Sequence, residues 1–388
     1  MADEHADLLR RIRHYEDFLA GSDARELASY FIEGEIGMHG VPLGIVEDAY
    51  INEKFYDVPM ATEEASIVAA VRFWNRLLRP IGGIQTTALR TIVKGQVLVE
   101  TQVSTDEILR YATSYTKQCD KEFPQMIQRG GIATDVSVRL IEKYPDSTHS
   151  LHVVTLYIDS RDAMGAHRST EMAQWVGACF KRDGRGIPIA SIVSNNAHER
   201  CVRAQTSIPH KIMRRITGKQ DAVTRLERMF VWAKKDIDRA VTHNKGIMNG
   251  VTAVVLASGN DTRAAEAAAH AYASKGGRYH PLSWCEIGKN NIDVFLELPV
   301  VIGTVGDGVR TQLGSRRFFD LVTRKMSGAQ KNTTNSIGSS ELSSVIAGIG
   351  LIQNIAALTA LIGRGIQYGH MPLHEKRRKI SQITDIEH

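Results

Sequence analysis

The sequence predicts an α+β fold, in which a small unit of strands and helices interrupts a larger domain of mixed helical and extended segments. Residues 93–203 show apolar periodicities in the order strand, helix, strand, strand, helix, strand. Helical patterns lie on both sides of this stretch, so residues 1–92 and 204–370 are predicted to form the two parts of the larger domain. A β-α-β-β-α-β order is typical of the ferredoxin-like fold, which we therefore predict for the inserted unit.

The first half of the chain contains the segments behind this prediction. Residues 6–31 carry a helical pattern, residues 41–60 alternate extended stretches with turn residues, and residues 63–78 are again helical. The inserted unit follows as GQVLVETQV (strand), STDEILRYATSYTKQCDKE (helix), ATDVSVRLIEK and HSLHVVTLYID (strands), GAHRSTEMAQWVGACFKR (helix) and GIPIASIVSN (strand). Its first helix should begin at a Ser or Thr cap, with Glu107 in the first turn.

The second half returns to helical patterns over residues 211–243. Residues 252–258 are continuously apolar or small and rich in β-branched side chains, which predicts a buried strand. An alanine-rich helix over residues 262–273, extended segments near residues 294–303 and long helices from Gly314 complete the domain. No GxGxxG motif follows a strand, so the pattern does not support a Rossmann domain.

The composition limits the class of protein. A chain of 388 residues with 43% hydrophobic side chains is long enough for two domains with cores of their own. Its formal charge of +5 comes from 48 basic and 43 acidic residues, which is no nucleic-acid signature and suits a small anionic ligand. The four cysteines show no paired or metal-like spacing, so we predict reduced thiols, no metal site and a cytoplasmic location. The charged N-terminus does not read as a signal peptide.

Residues 343–363 are uncharged over roughly the length that spans a bilayer. Gln353 and Asn354 lie near the centre of this segment, and Gly348 and Gly350 interrupt it. No other stretch is a candidate span, so we predict a buried core or interface helix and no membrane insertion.

Lys245 and Asp261 flank the predicted strand at residues 252–258. Polar side chains at the ends of a rigid strand are well placed to hold catalytic groups. Two ordinary alternatives apply, since Asp261 could cap the helix that follows it and Lys245 could be a solvated surface charge. The local pattern alone favours neither interpretation.

Four separated motifs, in the right order, resemble 3-hydroxy-3-methylglutaryl-CoA (HMG-CoA) reductases, especially the bacterial class II branch. The strongest is HNKGIMNG followed by GNDTRAAEAAAHAYA. VPLGIVEDAYINEKFYDVPMATEEASIVAA is similar to the substrate segment of that family, DSRDAMGAH to its cofactor loop and GIQYGHMPLH to its catalytic-histidine segment.

The resemblance implies catalytic roles for four residues. Lys245 matches the residue that stabilises the oxyanion, and Glu64 matches the acid that protonates the carbonyl oxygen as hydride arrives. Asp261 matches the carboxylate that pairs with the lysine and raises the pKa of the glutamate. His370 matches the histidine that protonates the departing CoA thiolate.

The resemblance also implies binding residues. Ser66 and Arg239 match positions that hold the free carboxylate of the HMG group, and Asn249 and Gln353 match amides lining the same site. Asp162, Ala163, Met164 and Gly165 match the cofactor loop, where backbone amides at a helix start could receive a pyrophosphate. Asp135, in a predicted polar turn before a strand, is a candidate for the acidic contact to the adenosine ribose that would separate NADH from NADPH.

The chain departs from the family pattern at three places. His167 replaces the asparagine of the cofactor loop, and Asp307 gives GTVGD where the family has GTVGG. Residues 371–388 form a short basic tail, where class II enzymes continue into a helical flap domain. A different mode of closure, a truncated chain or a substrate that needs no such lid would each account for the tail.

The sequence therefore predicts a homodimeric or larger oligomeric HMG-CoA reductase with its active site at the subunit interface, using NADPH or NADH to form mevalonate and CoA, or running in reverse. One alternative keeps the chemistry on another acyl thioester, carried by CoA or a carrier protein. A second alternative is a non-catalytic relative that binds CoA or a nucleotide.

Overall fold

The computed structural model describes residues 14–124, 131–145, 148–306, 309, 314–325, 337–363 and 365 of the 388-residue chain. Its helices and strands form three sheets within these residues, with helices packed against them. This is the mixed helical and extended architecture that the sequence predicts.

The N-terminal part contains helix α1 (Ser22–Ser29), strands β1 (Leu43–Ile51) and β2 (Lys54–Ala61), and helix α2 (Ile67–Leu78). The strands pair as an antiparallel hairpin whose two turn residues have φ of 50° and 61°, as a tight two-residue turn requires. Helix α2 begins at Ile67, four residues later than the helical pattern predicts. The intervening residues instead form an irregular loop, which ends at Ser66 in a left-handed conformation with φ 76°.

The small unit follows strand β3 (Gln85–Ala88) in the chain. Its elements are β4 (Ile92–Thr101), α3 (Thr105–Glu122), β5 (Ile132–Lys143), β6 (Ser150–Asp159), α4 (Ala166–Arg182) and β7 (Ile187–Ser194). The strands form one antiparallel sheet in the order β5-β6-β4-β7, so the predicted sequence of six elements is confirmed. Helix α3 starts at a capping box formed by Ser104 and Glu107, as predicted.

The rest of the chain forms the second half of the larger part. In order it contains β8 (Cys201–Pro209), α5 (His210–Thr217), α6 (Ala222–Lys235), α7 (Ile237–Ala257), α8 (Thr262–Ala273), β9 (Ser283–Ile287), β10 (Asn291–Pro299), α9 (Ser315–Thr323) and α10 (Ser339–Ile362). Strands from both sides of the small unit share a sheet in the order β3-β8-β10-β9. In the chain, the elements of the small unit fall between β3 and β8, which are neighbours in this sheet.

The predicted strand at residues 252–258 is wrong, because helix α7 runs through it to Ala257. Val251, Val254 and Val255 are all buried, so packing outweighs the weak helix propensity of β-branched residues. The Thr252 hydroxyl donates to the Met248 carbonyl oxygen at 2.6 Å, which satisfies it inside the helix. A short apolar run has no period that distinguishes a buried strand from a buried helix.

Helix α10 is the centre of the larger core. Its 24 residues are mostly buried, and its glycines allow close packing. A Cβ at Gly348 would lie 2.8 Å from the Ile51 side chain, and one at Gly350 would lie 2.8 Å from Val251. Among the described residues this helix is long and apolar enough to cross a membrane, but 83% of its most apolar window is buried. Its burial agrees with the predicted core helix.

The hydrophobic interior is divided into two main clusters. One lies between the helices and sheets of the larger part, and the other lies between the sheet of the small unit and helices α3 and α4. A third, small cluster joins Met164 to Ala197, Val301 and the alanines of α8. The loops at the junction of the two units therefore share packed side chains.

Candidate functional site

Lys245 and Glu64 form an ion pair, with the lysine Nζ 2.9 Å from the glutamate Oε2. The lysine lies in the middle of α7, and the glutamate lies on the loop between β2 and α2. The side chains are 62% and 42% exposed, so both reach solvent. Two of the predicted catalytic residues, 181 positions apart in sequence, thus meet at one place.

A cleft of about 500 Å³ opens beside this pair. It lies between the Glu64 loop, α7 and the start of α8, and Asn249 contributes to its wall one helical turn after Lys245. The other lining residues are Ala61, Thr62, Glu63, Glu64, Ile67, Thr252, Ala253, Leu256, Thr262, Arg263 and Glu266. The predicted catalytic residue Glu64 and the predicted substrate-binding residue Asn249 therefore line the same cleft.

Asp261 is the N-cap of α8, which is the ordinary alternative considered for this residue. Its carboxylate accepts hydrogen bonds from the Arg263 and Ala264 backbone N–H groups at 2.9 and 3.1 Å. It precedes Thr262, which lines the cleft. Within the described part of the chain, no hydrogen bond or ion pair joins Asp261 to Lys245 or Glu64. Only two members of the predicted three-residue cluster are in direct contact.

Ser66 lies on the same loop as Glu64 but faces another cavity, of about 540 Å³, which Glu64 also lines. Arg72 and Arg76, on successive turns of α2, contribute to its wall. The backbone at Ser66 is left-handed, a conformation that is costly for a residue with a side chain. Strain of this kind is concentrated at functional sites in proteins.

Gln353 is buried on α10, whereas Arg239 on α7 is half-buried, with its guanidinium carbon 5.5 Å from the centre of the Trp232 ring. The Arg239 Nε and Gln353 Oε1 atoms are buried and have no hydrogen-bond partner among the described residues. Burial lowers the pKa of Arg239. Buried polar atoms without partners are rare, and in a binding site a ligand could satisfy them. Neither residue contacts the Lys245–Glu64 pair directly among the described hydrogen bonds.

His243 is a buried residue that the sequence interpretation overlooked. Its Nε2 lies 2.5 Å from the Ser283 hydroxyl, and that hydroxyl donates to the Asn354 Oδ1 at 2.8 Å. Burial, with a smaller contribution from the Arg239 charge, lowers the pKa of His243 to about 3. The network ties α7, two residues before Lys245, to β9 and α10. Its only signal in the sequence is its place within the motif THNKGIMNG.

The predicted cofactor loop connects β6 to α4. Asp162 accepts a hydrogen bond from the Ser339 backbone N–H at 2.7 Å, and Ala163 pairs with Val305 in a short parallel bridge. Gly165 has φ 91° and directly precedes α4. His167 is 84% exposed and lies 3.2 Å from Glu171, so its ring contacts its own helix.

Asp135 lies within strand β5, after an irregularity in its pairing with β6, and not in a turn before the strand as predicted. It is exposed on this edge strand. Its neighbour Thr134 lines a cleft of about 590 Å³ together with Arg161 and Asp162 of the β6–α4 connection, the segment at residues 88–92 and the start of α10. Asp135 is thus close in sequence to a cleft that includes one residue of the cofactor loop. His370 and Asp307 lie outside the described residues.

Known proteins share both the sequence and the fold. The sequence profile of hydroxymethylglutaryl-coenzyme A reductase matches residues 7–375. The chain is 34% identical to the 3-hydroxy-3-methylglutaryl-coenzyme A reductase of Archaeoglobus fulgidus, over 92% of this chain and 78% of that one. It is 31% identical to a probable reductase of Borreliella burgdorferi, over 93% of this chain and 80% of that one.

Solved structures agree with these matches. The class II reductase of Streptococcus pneumoniae bound to NADPH in open conformations superposes with a TM-score of 0.77 at 27% identity, covering 94% of this chain and 98% of that one. A second structure from the same organism gives 0.77 at 28% identity, over 96% and 88% of the two chains. These matches place the chain among the oxidoreductases. It belongs to the hydroxymethylglutaryl-coenzyme A reductase family.

Proposed function

We propose that this chain reduces HMG-CoA to mevalonate and free CoA with two equivalents of NADPH or NADH, or catalyses the reverse reaction. The observation that carries the proposal is the contact between Lys245 and Glu64 beside an open cleft, in a chain of this family. Reduction of the thioester consumes two hydrides and two protons, so the protein must supply acids and stabilise negative oxygen.

The pair has the chemistry for this task. The nicotinamide supplies the hydrides when bound. The Lys245 ammonium stabilises negative charge that develops on the carbonyl oxygen, and Glu64 delivers a proton to that oxygen. Asp261, fixed as the N-cap at the start of α8, is the third charged residue that we assign to the reaction. His370 protonates the CoA thiolate, which prevents the thiolate from adding back to the aldehyde.

Substrate contacts follow from the buried polar groups. We assign the free carboxylate of the HMG group to Arg239 and Ser66, since a guanidinium can donate two parallel hydrogen bonds to it. Asn249 lines the cleft, and the orphaned Gln353 Oε1 would accept from a substrate hydroxyl. A ligand with these groups would satisfy Arg239 Nε and Gln353 Oε1, which have no hydrogen-bond partner among the described residues.

The small unit fits a dinucleotide. We propose that it is an inserted ferredoxin-like cofactor domain formed by residues 93–203, between the two parts of a substrate domain at residues 1–92 and 204–370. The first turn of α4 receives no side-chain cap from the described residues, so its N–H groups suit a pyrophosphate at Ala163, Met164 and Gly165. Arg168 in that turn is paired with Glu171 at 2.8 Å. We assign Asp135 to the adenosine ribose.

The exposed face of α7 supports a homodimer. Ile237 and Val241 are exposed at four-residue spacing before Lys245, which places two apolar side chains on the same face as the catalytic lysine. A second copy that covers this face would shield the Lys245–Glu64 pair from water and strengthen its electrostatic effect. We propose an active site at the subunit interface of a cytoplasmic enzyme.

The direct test is absorbance at the reduced-nicotinamide band with purified protein, HMG-CoA and either NADPH or NADH. Two nicotinamides should be oxidised for each CoA released, and Lys245→Ala should abolish the reaction. Absence of turnover with both cofactors, in a folded oligomer, would contradict the proposal.

A second candidate keeps the reaction and changes the thioester. His167 and Asp307 replace residues of the family pattern, and this departure favours testing acyl groups other than HMG. A panel of acyl-CoA and carrier-protein thioesters would reveal such a substrate by a higher kcat/KM. The retained Lys245–Glu64 pair argues against a non-catalytic binding protein.

A further inference from the structure

Arg200 is an almost completely buried arginine at the junction of the two units. It exposes 3% of its surface and follows β7, at the end of the short turn that leads into β8. One guanidinium nitrogen donates to the Met164 carbonyl oxygen at 2.8 Å, and the other donates to the Ile302 carbonyl oxygen at 2.8 Å. One side chain therefore holds two loops that are 138 residues apart in sequence.

Arg200 is buried without a carboxylate in contact in the described part of the chain, so an ordinary ion pair does not explain its position. Among the described residues no carboxylate lies within ion-pair distance of Arg200, although the Asp159 charge partly offsets the effect of burial. Burial lowers the pKa of Arg200 to about 10, so it stays charged at neutral pH. A buried charge with no carboxylate in contact destabilises the folded state unless its hydrogen bonds are well satisfied. The two carbonyl groups receive their hydrogen bonds from two different guanidinium nitrogens, whereas lysine would have to reach both from a single nitrogen.

Asn260 binds the loop at Ile302 to Val305, which Arg200 also contacts. Its Nδ2 donates to the Gly303 carbonyl oxygen at 3.1 Å, and its Oδ1 accepts from the Gly303 N–H at 2.8 Å. Asn260 is also buried and immediately precedes Asp261. The position of Asp261 is thereby fixed to the backbone of the loop at Ile302 to Val305.

That loop is in turn joined to the predicted cofactor loop. The Thr304 N–H donates to the Asp162 carbonyl oxygen at 2.8 Å, beside the bridge between Ala163 and Val305. The two backbones approach so closely at Gly303 that a Cβ there would lie 2.3 Å from the Met164 nitrogen. Asp261 is thus linked to residues 162–165 in steps. The peptide bond to Asn260 comes first, then the hydrogen bonds of Asn260 to Gly303, and then the hydrogen bond of Thr304 to Asp162.

We propose that Arg200 and Asn260 are positioning residues, which fix the cofactor loop at residues 162–165 relative to the catalytic Asp261. The proposal rests on the function proposed above. Neither side chain touches the reacting atoms in this assignment. Both act by holding backbone segments that would contact the nicotinamide dinucleotide.

The experiment measures cofactor binding directly, so that it does not depend on turnover. NADPH and NADH are titrated into the full-length wild type and into Arg200→Lys and Asn260→Ser, with nicotinamide fluorescence as the signal. Each variant removes hydrogen bonds to the loops, so the Kd of the better cofactor should rise about tenfold. The Kd of HMG-CoA, measured by calorimetry, should change less than about twofold.

Asn75→Ser is the matched control. Asn75 is buried on α2 and bonds the backbone of the β1–β2 hairpin, with its Oδ1 3.2 Å from the Tyr50 nitrogen and its Nδ2 2.9 Å from the Asp48 carbonyl oxygen. This variant should lower the melting temperature as Asn260→Ser does, but it should leave cofactor affinity unchanged. If Arg200→Lys does not fold, the cofactor Kd of Asn260→Ser still tests the proposal.

The possible outcomes are distinct. If the wild type binds neither nicotinamide cofactor, the proposed function itself fails. If the wild type binds and both folded variants bind equally well, the positioning role is wrong. A loss of affinity in Asn75→Ser as large as that in Asn260→Ser would indicate general loosening of the protein and would also overturn the inference.

Discussion

The Asp162 carboxylate caps helix α10, although it lies 177 residues earlier in the sequence. It accepts a hydrogen bond from the Ser339 backbone N–H at 2.7 Å. The residue before this helix is Gly338, which has no side chain to do so. The Ser339 hydroxyl also donates to the Arg161 carbonyl oxygen at 2.7 Å. The longest helix of the larger core therefore begins at the loop that we assign to the cofactor.

Asp162→Ala should destabilise the protein and weaken nicotinamide binding together. Loss of a helix cap costs about 1 kcal/mol, which urea denaturation would detect as a lower free energy of unfolding. Ser104→Ala removes the cap of α3, remote from the loop, and serves as the control. It should lose similar stability with an unchanged cofactor Kd. Equal cofactor affinity in the Asp162 variant would separate the cap from the binding site.

Lys245→Ala should lower kcat strongly and should change the free energy of unfolding very little. Removing a charge that stabilises an oxyanion lowers kcat by about 10²–10³. The exposed Lys245–Glu64 pair contributes less than about 1 kcal/mol to the free energy of unfolding. Lys54→Ala breaks a comparable surface pair with Glu341, 2.7 Å apart, and should leave kcat intact. A similar loss of kcat in both variants would argue against a specific role for Lys245.

His243 should make the protein less stable in mild acid. Its folded-state pKa is lowered to about 3, so the unfolded chain binds a proton near pH 6.5 that the native protein does not. The stability contributed by the neutral ring is therefore present above pH 6.5 and is lost as the pH falls below it. Between pH 7.5 and 5.5 the free energy of unfolding should fall by roughly 1 kcal/mol from this residue.

Urea melts of the wild type and His243→Asn at the two pH values would isolate that contribution. The variant has no titrating ring, so its stability should depend less on pH in this range. An identical pH dependence in the two proteins would show that other groups account for it.

Gly350→Ala should destabilise the packing of α10 against α7. The new methyl carbon would lie 2.8 Å from Val251, inside a core where added volume costs about 1–3 kcal/mol. Gly246→Ala provides the opposite expectation, because no described atom lies within 4 Å of its Cβ position. That change should stabilise α7 by about 0.5–1 kcal/mol through helix propensity. Thermal unfolding of the two variants would give shifts of opposite sign.

The parts of the fold that sequence reasoning could predict are those with a clear period. The strands of the small unit alternate, and the capping box of Ser104 and Glu107 indicates where α3 begins. The error at residues 252–258 has a physical origin, because a helix buried on most sides shows no amphipathic stripe. The left-handed Ser66 is likewise set by the tertiary structure, since nothing in its sequence context requires that conformation.

Sequence motifs could predict those site residues whose side chains belong to a recognisable pattern. The resemblance predicted a cluster of Lys245, Glu64 and Asp261 in which the lysine pairs with Asp261. The described contact of the lysine is instead with Glu64, and the lysine lies within a helix and not before a strand. The resemblance could not reveal Arg200 or Asn260, because their roles depend on backbone carbonyl groups supplied by distant loops. Hydrogen bonds to main-chain atoms leave no pattern in a single sequence.

The junction between the two units has a consequence for motion. Only the chain segments at residues 89–91 and 195–200 link them covalently, which would suit a hinge. The contacts of Asp162, Arg200 and Thr304 nevertheless cross the same boundary. Any rigid-body rotation of the small unit about these linkers must break those bonds or carry the start of α10 with it. These hydrogen bonds therefore restrain any rotation of the small unit about the two linkers.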